Sequence, residues 1–205
     1  MAGLFRALVA DLRNMKGYIA AACVVFAAGF VSGAMGPGID AILGQSVDSL
    51  REVAQALGSS SNPQLSFFVF IFLNNAVKSV AFVYLGALFA IVPVVVLAMN
   101  GMVLGYVMLH PAQEMPFFTL LVKGILPHGI IELPVVIVAC AYGIRLGVLI
   151  MRSIAALFRS EERRARVRAE LAALLRVTLP LCVAVTVALL VAAAIESTIT
   201  FNLMK

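Results

Sequence analysis

Long apolar runs separated by short polar stretches dominate the chain. Runs at about 18–36, 66–85, 90–109, 127–150 and 177–200 are mostly apolar. Each is near the roughly 20 residues that a helix needs to cross a hydrocarbon core. The stretch Leu65 to Leu109 is too long for one crossing at about 1.5 Å per residue, so it predicts two. Their turn belongs between Gly86 and Pro93, because both residue types weaken a helix. The apolar piece 115–124 is too short to cross and predicts a re-entrant or interfacial segment. The expected fold class is all-α: a polytopic transmembrane helical bundle of five spans, one re-entrant helix and two amphipathic helices outside the membrane. It forms one integral membrane domain over 1–205.

The first amphipathic helix is predicted over 41–57, where Leu43, Val47, Leu50, Ala54 and Leu57 repeat at steps of four and three. Asp40 is placed to cap its start and Gly58 its end, and residues 59–63 form a breaker loop. This helix is too polar to cross. It is free to lie on the outer leaflet, fold over the bundle or pair with a second copy. The second is predicted over 159–176, with Val167, Leu171 and Leu174 on one face and arginines elsewhere. A basic amphipathic helix between two spans is expected at an anionic leaflet.

Composition agrees with the pattern. Of 205 residues, 63% are hydrophobic and 12% charged, against about 45–50% and 25% in soluble domains. No tryptophan is present, so interfacial anchoring falls to Tyr, Phe, Arg and Lys. Cys23, Cys140 and Cys182 each sit inside an apolar run, where a small packing role is expected rather than a disulfide framework.

Charge then orients the spans. Arg6, Arg13 and Lys16 outnumber Asp11 ahead of the first run, and eight arginines from Arg145 to Arg176 face only Glu161, Glu162 and Glu170. By the positive-inside rule both regions are cytoplasmic, the acidic segment 37–64 and the loop at His110 and Glu114 lie outside, and the C-terminus is outside. This places the protein in the cytoplasmic (inner) membrane. A charged stretch before an apolar run is also the form of a signal peptide. The run 18–36 is long for that, and an uncleaved span is expected. The arginines are explained by topology, so no nucleic-acid partner is expected. The lipid bilayer is the first partner.

Polar residues inside apolar runs are costly and mark where to look for function. They are Asn74, Asn75, Asn100, His128, Glu132 and Glu196. His128 and Glu132 stand four apart, on one helical face. With spans alternating in direction, all six are expected to meet in the outer half of the membrane. There the asparagine amides are able to satisfy the two carboxylates. A packing network of interhelical hydrogen bonds is the plainest role for such a set. Lys78 either snorkels toward the cytoplasm or pairs with a buried carboxylate, and Lys123 is a second possible charge partner. Gly29 with Gly33, Gly101 with Gly105, and Gly143 with Gly147 have the small-xxx-small spacing that lets helices approach closely. Pro127, Gly129 and Pro134 bracket His128 and Glu132, and Pro134 predicts a kink or a late helix start.

At these residues the sequence resembles the stage II sporulation protein M family of multi-spanning membrane proteins. The carriers are Phe72-Leu73-Asn74-Asn75, Met99-Asn100-Gly101-Met102-Val103-Leu104-Gly105, Leu126-Pro127-His128-Gly129-Ile130-Ile131-Glu132-Leu133-Pro134, Tyr142-Gly143-Ile144-Arg145-Leu146-Gly147 and Ile195-Glu196-Ser197. The resemblance covers essentially the whole chain. It implies a membrane scaffold, since the name-giving member helps localise two peptidoglycan-degrading partners, stage II sporulation proteins D and P. Many relatives occur in organisms that do not sporulate.

Three functions are expected in order. The first is a non-enzymatic scaffold, self-associating as a homo-oligomer (a dimer), that organises envelope or peptidoglycan-remodelling partners. The second is a small-solute or ion channel or transporter that uses the intramembrane polar residues. An enzyme comes last: His128 and Glu132 are spaced like metal ligands, but a zinc site wants three or four. No catalytic residue, metal or cofactor is expected.

Overall fold

The computed structural model describes residues 2–36, 43, 49, 52, 53, 55–109 and 126–200. Among these residues the chain is helical, without strands. The helices are α1 (Ala2–Asn14), α2 (Lys16–Met35), α3 (Pro63–Leu85), α4 (Ile91–Leu109), α5 (Leu126–Ala156) and α6 (Glu161–Ile195), which ends in a π-helical turn at Glu196–Thr200. Among the described residues, helices α2 to α6 are the 5 that are long and apolar enough to cross a membrane. The predicted re-entrant segment 115–124, with Lys123, lies outside the described residues. So does most of the predicted outer helix 41–57. Its described residues 43, 49, 52, 53 and 55–57 are helical, and Leu43 is buried.

Asn62 caps α3, its side chain accepting the Leu65 amide at 3.2 Å, with Pro63 opening the helix. The α3–α4 turn spans 86–90, inside the predicted interval. It takes left-handed backbone at Phe89 (φ 53°) and Ala90 (φ 64°), uncommon for residues with a Cβ.

Helix α5 is the central helix. It packs against α2, α3, α4 and α6, and Ala139, Cys140, Ala141 and Tyr142 are each 0% exposed. Four consecutive covered residues mean that every side of the helix is covered, the expected position for a helix apolar all round. The outer helices instead turn large side chains outward at steps of four: Val69, Leu73 and Val77 on α3, Ile91, Val95 and Met99 on α4, and Leu179, Val183 and Val187 on α6. These are lipid-facing stripes in a membrane.

Glycines set the close approaches. A Cβ on Gly29 would collide with the Ala98 carbonyl and one on Gly33 with that of Met102. Reciprocally, Gly101 would meet Phe26 and Gly105 would meet Phe30. The ascending register of these contacts makes α2 and α4 a parallel pair. Gly143 lies against Phe82, and Gly147 against Gly86 and Ala90, so the α3–α4 turn is seated in a glycine notch of α5.

One expectation is corrected, and the structure adds detail at two other places. The stretch before the first span is a helix, α1, with Leu8, Leu12 and Met15 packed in the core cluster. The basic helix 159–176 and the span 177–200 are one continuous helix of 35 residues, with Pro180 inside it. At the helical rise α6 is about 52 Å long, against a hydrocarbon core of about 30 Å. Its Leu171 and Leu174 join the same cluster as α1, and α1 packs on α6. The apolar stripe is therefore buried against protein, not laid on lipid. Helix α5 begins at Leu126, one residue from the predicted span start at 127, and runs through Pro134 without the late start that was one of the two alternatives there.

Candidate functional site

Two polar groupings occupy opposite ends of the bundle. At the end remote from α1, the π-helical turn holding Glu196 packs against α3 and α5. Glu132 on α5 and Glu196 lie close enough to feel each other's charge, and both are half-buried. Sequence spacing alone places these carboxylates in the same half of the bundle; tertiary packing brings them together. On α3, Asn74 donates to the Asn75 carbonyl at 3.1 Å, so that amide bonds its neighbour and not a carboxylate. Ser197 is buried, and its hydroxyl donates to the Ala194 carbonyl at 3.3 Å. Such back-bonding to the previous turn is the usual way for a hydroxyl to be satisfied in a helix.

Asn100 does not join this group. It sits mid-way along α4 with its side chain exposed, and its amide donates to the Val96 carbonyl of its own helix at 3.0 Å. Gly101 and Gly105 point the opposite face of α4 at α2, which turns Asn100 away from the interior. Lys78 is exposed and makes no ion pair with a described residue, consistent with a snorkelling side chain. His128 lies in the first turn of α5; its side chain and that of Pro127 lie outside the described residues.

The other grouping has no forecast in the sequence. Asp11 on α1 accepts hydrogen bonds from the Arg145 guanidinium at 2.8 Å and from the Tyr142 hydroxyl at 2.9 Å. Arg145 also reaches the Met15 sulfur at 3.3 Å. The Asp11 and Arg145 side chains are each 17% exposed. Tyr142 and Arg145 are three apart, hence on one face of α5. In the sequence, Asp11 and Arg145 read as ordinary topology charges. The available signal is that Arg145 falls inside an apolar run, directly ahead of Leu146 and Gly147 and four residues ahead of the buried Leu149.

A third polar device closes the α5–α6 turn. Arg164 donates to the Ala156 carbonyl at 3.2 Å and pairs with Glu161 at 2.8 Å. A cation on the last carbonyls of a helix satisfies groups that have no intrahelical partner.

Four apolar helices packed around a covered central one, all five long and apolar enough to cross a membrane, give this all-helical bundle the character of a membrane protein. The family model of stage II sporulation protein M matches residues 20–201, and the chain belongs to that family. No curated protein and no solved structure matches it. The motif Tyr142-Gly143-Ile144-Arg145-Leu146-Gly147 now has a physical reading. One face holds α1 through Asp11, and the glycine face receives the α3–α4 turn.

Proposed function

We propose that this chain is a non-enzymatic scaffold of the cytoplasmic membrane that organises cell-envelope partners. The observation that carries the reading is the covered centre of α5, where Ala139 to Tyr142 are fully enclosed by packed neighbours. A bundle filled by side chains suits a rigid platform better than a conduit. Family membership over nearly all of the sequence supports it too.

In this reading the arginine-rich α1 end is cytoplasmic and the Glu132–Glu196 end faces out. The outer end, with the segment 37–62, is then the surface offered to peptidoglycan-remodelling partners. A homodimer fits the exposed Asn100, because an amide turned outward in mid-span gains most by meeting a second copy. Cross-linking in cells followed by affinity capture tests the scaffold. Wild type is expected to recover a peptidoglycan-remodelling protein, and recovery of no envelope protein sinks the reading. An Asn100→Cys disulfide between copies tests the dimer.

The neighbouring carboxylates Glu132 and Glu196 favour one second reading, a cation or solute path. Flux in proteoliposomes that disappears in Glu132→Gln would support it. Equal flux in the variant and in protein-free vesicles removes it.

A further inference from the structure

The hairpin of α5 and α6 reaches well past the α3–α4 turn. Gly147 touches that turn at Ala90, and α5 continues for nine more residues to Ala156, about 13 Å at the helical rise. Between the two helices at this tip lies a crevice of about 570 Å³. Four arginines line it, Arg152, Arg159, Arg163 and Arg166, against two carboxylates, Glu162 and Glu170. Arg152 and Glu170 approach only to 3.9 Å, with side chains 59% and 44% exposed. Such a pair contributes little. Arg159, Arg163 and Arg166 make no ion pair with any described residue. Like charges gathered in one recess repel, and an anion seated among them relieves that repulsion.

The surface beside the crevice identifies the kind of anion. Phe158, next in the chain to the lining residue Arg159, is 87% exposed, and Met151 and Ile154, which do not line the crevice, are exposed on α5 as well. Leu157 at the turn is exposed as well. Exposed Leu157 and Phe158, set in the chain between the lining residues Ala156 and Arg159, match an amphiphile: acyl chain against the turn, phosphate in the recess. We propose that the crevice is a binding site for the phosphate of an anionic phospholipid headgroup. Guanidinium groups bind phosphate through paired N–H donors, which favours arginine over lysine in this position. The site is independent of the scaffold reading: it needs no protein partner and lies at the opposite end from Glu132 and Glu196.

Thermal unfolding of the purified full chain in mixed micelles tests it. Phosphatidylglycerol is expected to raise the melting temperature by a few degrees over phosphatidylcholine, as a ligand of the folded state must. Most of that gain is expected to vanish in the Arg159→Gln, Arg163→Gln, Arg166→Gln triple variant and in its Arg163→Gln, Arg166→Gln double variant, and to survive in Arg6→Gln, Arg13→Gln, which removes two arginines from α1, as many as that double variant removes. Phosphatidylglycerol retained through purification, measured by mass spectrometry, provides a second readout on the single variant Arg163→Gln should the triple variant fold poorly; it is expected to fall. An undiminished gain in the triple variant, with undiminished lipid in Arg163→Gln, overturns the site. A gain from inorganic phosphate equal to that from phosphatidylglycerol overturns the lipid assignment in favour of a soluble phosphate.

Discussion

Asp11 illustrates how little a single residue's sequence context reveals in this protein. Its carboxylate joins a helix that precedes the first span to a guanidinium and a phenol on the central helix. Removing one member leaves the other charge largely buried. Complete burial would make that loss about 3–5 kcal/mol, and with 17% exposure on each side we expect about 2 kcal/mol. Asp11→Asn and Arg145→Gln are each predicted to lower unfolding stability in detergent by that amount. The double variant should lose no more than either single one, because the two changes break one interaction. Additive losses would show that the residues act separately. Of the polar residues that stand out in the sequence, Glu132 and Glu196 lie within range of each other's charge, while Asn100 turns away. Spacing along one helix gives depth in the membrane, but the direction a side chain faces depends on which neighbour its helix meets.

At the scale of elements, glycine is the discriminating residue. In soluble helices the buried face is apolar and the exposed face polar. Here both are apolar, so hydrophobic periodicity does not mark the interior. Close approach does: Gly29 and Gly33 on α2, Gly101 and Gly105 on α4, and Gly143 and Gly147 on α5 each meet a neighbouring backbone, which no larger residue allows. Gly29→Ala and Gly101→Ala each drive a Cβ into a facing backbone carbonyl. Each is predicted to cost about 1–3 kcal/mol, the usual range for overpacking. Gly17→Ala, with nothing within 4 Å, should be neutral or stabilise the helix. Equal effects at all three positions, measured by unfolding in mixed micelles, would contradict the α2–α4 packing. The α3–α4 turn supplies a second test. Ala90 holds a left-handed conformation at φ 64° that glycine adopts without strain. Ala90→Gly is therefore expected to raise stability by about 0.5–1 kcal/mol, and Ala90→Val to lower it.

For the whole molecule, the ends of the bundle differ in chemistry, and this predicts sidedness. Introduced cysteines at Ser160 and Ser59, in a background with Cys23, Cys140 and Cys182 replaced, should react with an impermeant maleimide from opposite sides of the membrane. Ser160 should be protected in intact cells. Labelling of both from one side would break the five-span topology. The five helices long and apolar enough to cross a membrane and the position of the α3–α4 turn were legible in the sequence, because the free energy of moving a side chain from water to hydrocarbon is a local property summed along a run. The continuity of α6, the burial of α1 and the union of Asp11 with Arg145, 134 positions apart, were decided only by tertiary structure. Those features depend on close packing and charge pairing between helices distant in the chain, and lipid, being as apolar as the side chains themselves, leaves no trace of such contacts in the hydrophobic pattern.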